Sequence, residues 1–315
     1  MAACGTTAGA PDVDATATVD APAAMDARTD VPIDAAIDAP AATLPIRVLF
    51  DNTKAEQAGN ADWVVDTGGR YPLPEHPTRE DAWTGGVSSW GYELHRTTRY
   101  LVEQLPPTAR ITFGDVANDQ DLSRYAVYVI PEPNSRFSAA ESAAIVAFVR
   151  AGGGLFIVGN HRGADRNNDG IDPPTVWNEL FTATGNPFGI RFAVDDITDS
   201  PDDNVLGDAA APVLHGPFGH VAATTYYDGS TMIVDPAANA TVQALIWRRG
   251  AARGTTGVTL AVARLGAGRV VAIGDSSPAD DGTGAGSLQD GWNDPRGDNR
   301  ELFLNGTAWL ARDPG

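Results

Sequence analysis

A histidine stands at the centre of the segment Gly159-Asn-His161-Arg-Gly163, which follows a run of apolar residues. Glycines two positions to either side of a central residue are the spacing of a nucleophile elbow, where serine or cysteine takes the central place. Because His161 replaces that nucleophile, the usual acyl-transfer chemistry is not supported. The imidazole could instead be a general base or a metal ligand, and the alternative is a hydrogen-bonded turn residue.

The loop after His161 carries oxygen-donating side chains at alternate positions, followed by a glycine. The residues in question are Asp165, Asn167, Asp169, Gly170 and Asp172. Their spacing matches the first half of a calcium-binding loop, because a tight turn points such side chains at a hard cation. The second half departs from that pattern, since Val176 stands where the EF-hand has a glutamate. We therefore expect a divalent cation, calcium first, and the alternative is a solvated loop of Asx turns.

A second acidic segment begins directly after a predicted strand with Asp275 and Ser276, and it continues to Asp280 and Asp281. Its carboxylates and hydroxyls could complete a metal or polyol site, and Asp280 and Asp281 are the expected metal ligands. Alternatively, these residues cap the last helix and fill turns. A further histidine, His215, could face the same cleft.

Polar side chains follow the predicted strands of the sheet. In an open parallel sheet, ligands bind beyond the carboxyl ends of the strands, so these side chains are the first candidates for function. The candidates are Asp51, Asn52, Glu132, Asn134, Asn160, His161, Asp275, Ser276 and Ser277. The expected catalytic residues are His161, Asp275, Glu132 and Ser276. The expected ligand-binding residues are Asp51, Asn52, Asn160 and His215.

Short apolar runs predict the strands that must position these side chains. The runs lie at 46–50, 110–113, 126–130, 155–158, 258–263 and 269–273. Helices are predicted at 88–105, 138–151, 175–184 and 298–311, and Ser138 with Glu141 forms a capping box at the start of the second. Continuously apolar strands that alternate with helices are typical of a doubly wound, mainly parallel α/β sheet. Residues 190–250, rich in β-formers and turns, are expected to be an inserted β-rich region.

The bulk composition excludes some classes of protein. The 315 residues include 43% hydrophobic residues, and the formal net charge is −19. Such a charge argues against a nucleic-acid partner, because binding to phosphate backbones needs clustered lysine and arginine. The single cysteine, Cys4, rules out an intramolecular disulfide. No apolar stretch approaches the roughly 18 residues of a membrane-spanning helix.

The N-terminal segment differs from the rest of the chain. Its start, Ala2-Ala-Cys4-Gly, is similar to the end of a bacterial lipoprotein signal, in which the cysteine becomes lipidated. The basic and apolar regions of a signal do not precede it, so an unlipidated N-terminus is the alternative. Residues 1–44 are rich in Asp, Ala and Pro and are expected to be a disordered tether. Residues 45–315 are expected to form one α/β domain, placed outside the cytoplasm and anchored to the membrane only through Cys4.

The segments around these candidates resemble a known family. The segments are Gly152–His161, the Leu-His215-Gly-Pro element, Gly266–Asp275 and Asn299–Trp309. They are similar to the trehalose-utilisation (ThuA-like) branch of the class I glutamine amidotransferase-like superfamily. The resemblance implies a flavodoxin-like fold with the elbow after the fourth strand. Because His161 occupies that elbow and no cysteine is available there, glutaminase activity is excluded. The segment Asp165–Gly170 also resembles a subgroup of secreted bacterial proteins.

Two hypotheses about function follow. The first is an extracytoplasmic hydrolase of a carbohydrate or a small ester or phosphoester, with His161, Asp275 and Glu132 as acid, base or ligands of a divalent cation. The second is a non-catalytic, calcium-stabilised surface module on a lipid tether that binds a sugar or a protein. Convergence of His161, Asp275 and Glu132 on one cleft would favour the hydrolase. Acidic loops that point away from His161 would make the calcium structural and would favour the module.

Overall fold

The computed structural model describes residues 44–68, 82–198, 201–284 and 289–315. The chain divides into two units, Met1–Thr43 and Leu44–Gly315. The expected lipidation site, Cys4, and the expected tether fall outside the described residues. Within the described residues, no helix has the length and apolar character that a membrane span requires.

The second unit is built on one mixed sheet. Its strands are β1 (Ile46–Phe50), β2 (Tyr100–Gln104), β3 (Val127–Pro131), β4 (Gly154–Val158), β5 (Ile190–Phe192), β6 (Asn204–Val205), β9 (Met232–Val234), β10 (Gln243–Trp247), β11 (Val258–Leu265) and β12 (Gly268–Ile273), and a separate small hairpin joins β7 (His215–Gly216) to β8 (Gly219–His220). The main path runs β2-β1-β3-β4-β12-β11-β10-β6. The part from β2 to β12 is parallel, and the strands beyond β12 are antiparallel.

Helices cover both faces of the parallel part. They are α1 (Ser88–Arg96), α2 (Ala139–Ala151), α3 (Pro173–Ala183) and α4 (Asn299–Ala311). Successive residues of a strand point to opposite faces, and both are buried here: Val48 packs into one core and Leu49 into the other. On the first face, Trp90 of α1 lies 4.9 Å from Phe156 and 4.7 Å from Phe303, measured between ring centroids. The predicted doubly wound, mainly parallel α/β fold is therefore confirmed.

Local signals explain where the helices begin and end. The Ser138 side chain accepts from the backbone N–H of Glu141, whose carboxylate accepts from the N–H of Ser138, so the predicted capping box is confirmed. Gly152 ends α2 with a φ of 126°, a conformation that residues with a Cβ rarely adopt. At α3, Asp172 is the N-cap and Pro173 follows at the first helical position.

Two predicted elements were wrong. The helix expected at 88–105 ends at Arg96, and its last residues form the edge strand β2 instead. Thr98 adopts a left-handed φ of 61°, which stops the helix and turns the chain into the sheet. The strand expected at 110–113 is absent, because Asp121 organises this segment: its carboxylate accepts from the Thr112 hydroxyl at 2.7 Å and from the N–H of Gly114 at 2.9 Å.

The expected β-rich insertion extends the sheet on one side. It supplies β5, β6, β9 and β10, which pair in antiparallel fashion with one another and with β11. The hairpin of β11 and β12 then returns the chain to the parallel part, where Arg269 pairs with Gly154 at the start of β4. Polar residues that follow β3, β4 and β12 consequently meet at one edge of the sheet.

Candidate functional site

Glu132 is the centre of a buried polar network at the carboxyl edge of the sheet. Its side chain is fully buried. Oε2 accepts hydrogen bonds from Asn160 Nδ2 at 2.5 Å and from the Ser276 hydroxyl at 2.6 Å. Oε1 accepts from Arg166 Nε at 2.9 Å, which makes a partly buried ion pair. Each acceptor oxygen of this carboxylate is thus engaged.

Neighbouring strands bring these residues together. Glu132 follows β3, Asn160 follows β4, and Ser276 follows β12, and these strands lie side by side in the sheet. Asn160 also donates to the Ser276 hydroxyl at 3.2 Å, which closes the triangle. Glu132 has a left-handed φ of 46°, an unusual conformation for this residue type that turns its carboxylate into the network.

Asp275 lies next to this network and differs from Glu132 in its partners. It is fully buried, and it accepts the backbone N–H of Tyr227 at 2.8 Å and that of Ser277 at 2.9 Å. Burial raises the pKa of Asp275 to about 7, the backbone donors partly oppose this shift, and the nearby charge of Glu132 adds to it. A substantial fraction of Asp275 is therefore protonated near neutral pH.

Arg166 covers the network from the solvent side. Its side chain is 21% exposed, whereas that of Glu132 is 0% exposed. The Arg166 guanidinium also donates to Asn60 Oδ1 at 3.1 Å, and its backbone N–H donates to Asn134 Oδ1 at 3.0 Å. Sequence reasoning missed Arg166, because the segment was interpreted for its oxygen donors alone. The sequence feature that could have indicated Arg166 is its position directly after Asp165, near an expected cluster of carboxylates.

The His161 imidazole is not part of this network. Its Nδ1 lies 2.9 Å from the backbone oxygen of Arg162, and its backbone N–H donates to Asn160 Oδ1 at 2.7 Å. In the described part of the chain, no hydrogen bond joins the imidazole to Glu132 or Asp275. The turn after β4 therefore directs Asn160 into the network, one position before the residue that the elbow spacing indicates.

The carboxylates of the loop after His161 bind the loop's own backbone. Asp165 accepts the N–H of Asp169 at 3.0 Å and that of Gly170 at 2.8 Å. Asp169 accepts the N–H of Ile171 and the amide of Asn167, and Asp172 accepts the N–H of Thr175 and Gly163. Among the described residues, no group of three or more His, Cys, Asp or Glu is arranged to hold a metal ion. This geometry fits the Asx-turn alternative better than a cation cage, and calcium binding stays a prediction.

Asp280 and Asp281 hold the chain beyond β12 in place. Asp281 accepts the N–H of Ser89 at 2.6 Å and the hydroxyl of Ser88 at 2.7 Å, so it caps the start of α1 from a distant part of the sequence. Asp280 accepts the N–H of Gly282 and of Gln289. Burial raises the pKa of Asp280 to about 6, despite these donors. The contacts of Asp281 therefore fit the alternative prediction of helix capping. The helix that Asp281 caps is α1, however, and not the last helix of the chain.

The end of β1 contributes a buried pair of carboxyl groups, Asp51 and Glu56. Burial raises the pKa of Asp51, and burial and the charge of Asp51 raise the pKa of Glu56 well above its ordinary value. Asp51 Oδ2, Glu56 Oε1 and the Tyr128 hydroxyl are buried without a hydrogen-bond partner among the described residues. A proton shared within the pair would satisfy the two carboxyl oxygens.

Two expected ligand-binding residues lie apart from the network. The Asn52 side chain donates to Gln57 Oε1 at 2.7 Å. His215 is exposed on β7, and its ring centroid lies 4.4 Å from that of His220. His215 borders a cavity together with Arg269 at the opposite, amino-terminal edge of the parallel strands.

No family model matches the sequence, and no curated protein is significantly similar to it. Solved structures share the fold at low identity. The mmIFT52 N-terminal domain is 16% identical with a TM-score of 0.54, and the match covers 84% of this chain and 97% of that one. A cytoplasmic protein of Salmonella typhimurium is 13% identical with a TM-score of 0.52, covering 84% and 99%. A ThuA-like protein from Bacteroides uniformis is 12% identical with a TM-score of 0.40, covering 87% and 94%. At these identities, the first two matches show a common fold and nothing about activity.

Proposed function

We propose that this chain is an extracytoplasmic hydrolase whose acid and base are the carboxyl groups of Asp275 and Glu132. The observation that carries the proposal is the contact between the ends of β3 and β12 across β4: the Ser276 hydroxyl donates to Glu132 at 2.6 Å, and burial raises the pKa of the adjacent Asp275 to about 7. Neighbouring carboxyl groups in unlike environments are the usual basis for separate acid and base roles. The substrate class is a carbohydrate or a small ester or phosphoester.

The acid and base roles follow from the proton or the hydrogen-bond partner that each carboxyl group holds. Protonated Asp275 would donate its proton to the leaving oxygen as the bond to that oxygen breaks. Glu132, which is paired with Arg166, would accept a proton from the attacking water, which forms the new bond to carbon or phosphorus. Asn160 and Ser276 orient the Glu132 carboxylate. No step is assigned to a cation, since the described residues offer no cage for one.

Arg166 controls the access of a substrate to Asp275 and Glu132. It is the partly exposed member of the network, and its guanidinium lies between Glu132 and Asn60. A substrate would reach Glu132 only after the Arg166 side chain has moved. An anionic group on the substrate would then compete with Glu132 for the guanidinium.

The test is a hydrolase screen on the full chain with chromogenic glycosides, esters and phosphoesters, with calcium and with a chelator. Asp275→Asn and Glu132→Gln should each remove the activity of wild type. Asp202→Asn is the matched control, because burial also raises the pKa of Asp202, to about 6, outside the network. Thermal unfolding of each variant separates loss of chemistry from loss of fold. Activity that survives both Asp275→Asn and Glu132→Gln would refute the assignment.

A non-catalytic surface module is the second candidate, and the burial of the network favours it. Glu132, Asn160 and Ser276 are each at most 1% exposed, and His161 is occupied with Arg162. In this hypothesis, the loop from Asp165 to Asp172 binds calcium and stabilises a domain that is tethered by a lipid at Cys4. Calorimetric calcium titration after chelation, with Asp169→Ala as control, tests that loop. Calcium binding that depends on Asp169, together with an inactive screen, would favour the module.

A further inference from the structure

A basic groove lies at the amino-terminal edge of the parallel strands, opposite the candidate site. It is a cavity of about 520 Å³ whose border includes His215, Arg264, Arg269, Trp309 and Arg312. We call these residues the basic groove. The concentration of arginine is unexpected in a chain with a formal net charge of −19.

The arginines of the basic groove repel one another. Arg264 and Arg269 lie directly opposite each other in the ladder of β11 and β12, and like charges in that arrangement destabilise a sheet. Arg312 approaches from the end of α4. Burial lowers the pKa of Arg269, and the charges of Arg264 and Arg312 lower it further. The fold therefore holds these cations together at a cost in free energy.

No carboxylate of the described residues forms an ion pair with Arg264, Arg269 or Arg312. Asp313 also borders the cavity, but its oxygens are engaged by Arg99 at 2.8 Å and by the Tyr100 hydroxyl at 2.6 Å. Within the part of the chain that the structure describes, these three guanidinium groups are therefore not neutralised by an ion pair.

Part of this charge has an ordinary structural use. Arg269 donates through Nη1 to the backbone oxygen of Trp309, and Arg312 donates to the backbone oxygens of Gly152 and Ala267. These bonds satisfy carbonyl groups near the ends of α4 and α2 and in the turn between β11 and β12. They leave two donors unexplained: Arg269 Nε is buried without a partner, and the Arg264 guanidinium has no hydrogen bond within the described residues.

An aromatic plane completes the groove. The guanidinium carbons of Arg264 and Arg269 lie 5.7 Å and 5.1 Å from the centre of the Trp309 ring. Contacts of this kind hold guanidinium groups in fixed orientations. Oriented guanidinium groups bind tetrahedral oxyanions through paired N–H···O bonds, and each such charge-assisted bond is stronger than a neutral one.

We propose that the basic groove binds a phosphate monoester, with the phosphate between Arg264, Arg269 and Arg312 and the ester group against Trp309. A dianion would offset the mutual repulsion of the arginines and would accept from the Arg264 guanidinium, which is exposed. The same chemistry occurs in a soluble phosphate ester and in the monoester headgroup of phosphatidic acid. This site is independent of the proposed hydrolase, because none of its residues belongs to the Glu132 network.

The test is calorimetric titration of the full chain with inorganic phosphate and with phenyl phosphate at low salt, beside flotation with vesicles that contain phosphatidic acid. Arg264→Gln and Arg312→Gln should each weaken binding by about tenfold or more. Arg253→Gln is the matched control, because Arg253 likewise lies over a tryptophan, 5.8 Å from the Trp247 ring centre, but away from the groove. It should bind as wild type does.

The titration with free phosphates and the flotation with vesicles together distinguish the source of the phosphate. Vesicle binding that is lost with Arg264→Gln identifies the lipid headgroup, and binding of the free esters without vesicle binding identifies a soluble ligand. The proposal is overturned if none of the probes binds, or if Arg264→Gln and Arg312→Gln bind them as tightly as wild type. Arg264 is exposed, so its replacement is expected to leave the fold intact, and thermal unfolding checks this.

Discussion

The hydroxyl of Ser276 donates to Oε2 of Glu132 at 2.6 Å, although the two residues are 144 positions apart in the chain. This bond joins the end of β12 to the end of β3 across β4, which lies between them. It places Asp275, the neighbour of Ser276, beside the same carboxylate. The proposed acid and base therefore depend on the strand order of the sheet rather than on closeness in sequence.

Glu132→Gln is expected to destabilise the protein strongly. The change removes the buried partner of an ion pair and leaves the Arg166 guanidinium facing a neutral amide. Loss of one partner of a fully buried pair costs about 3 kcal/mol or more, and because water reaches the partly exposed Arg166 we expect about 1 to 3 kcal/mol. Urea unfolding followed by circular dichroism measures this. Asp203→Asn breaks an ion pair with Arg249 on the exposed surface and should have a small effect. Equal effects of the two substitutions would show that the Glu132 pair adds nothing.

The stability of the protein is expected to fall as pH rises from about 4 to above 7. Burial raises the folded-state pKa of Asp275 to about 7 and that of Asp280 to about 6, so the folded state holds more protons than the unfolded state in this window. The stabilisation is complete below the unfolded pKa and is lost as pH passes the folded pKa. Burial acts to raise the pKa of Asp121, but several hydrogen bonds outweigh it and lower that pKa. The hydrogen bond from Arg296 lowers the pKa of Asp294, and the contribution of both groups is lost in acid.

Thermal unfolding between about pH 4.5 and 8.5 measures this dependence. We expect a higher Tm near pH 5 than near pH 8, and a shallower slope in Asp275→Asn. A Tm that rises steadily across the window would show that Asp275 and Asp280 titrate normally.

Asp281→Ala should destabilise the protein through the start of α1. The substitution leaves the N–H of Ser89 and the hydroxyl of Ser88 without their acceptor, and loss of an N-cap costs about 1 to 2 kcal/mol. Ser138→Ala, which removes the local cap of α2, is the reference and should cost about 1 kcal/mol. Chemical denaturation compares the two. No loss of stability in Asp281→Ala would mean that the distant cap has no energetic role.

Much of the fold could be predicted, since the strands of a parallel sheet are short apolar runs and Ser138 with Glu141 marks a helix start locally. The sequence predicts a helix over residues 100–104, because the spacing of Leu101 and Val102 fits a helix as well as it fits a strand. The left-handed conformation of Thr98 decides between helix and strand at this point, and the amino-acid sequence does not reveal it.

The site was harder to predict than the fold. Glu132, Asp275 and Ser276 followed from the rule that polar residues after parallel strands meet. The inward direction of Asn160 rather than His161 depends on the turn after β4, and spacing alone does not determine it. The role of Arg166 depends on a contact with Glu132 across 34 positions, which a local pattern does not reveal.

The most direct test of the acid and base assignment is the titration of Asp275, followed by the side-chain carboxyl ¹³C signal in nuclear magnetic resonance. We predict a midpoint near the value of about 7 that burial imposes, and a lower midpoint in Glu132→Gln, because the charge of Glu132 contributes to the shift. A midpoint close to the ordinary value for aspartate, unchanged in Glu132→Gln, would contradict the account. Asp275 would then be ionised at neutral pH and could not serve as the acid.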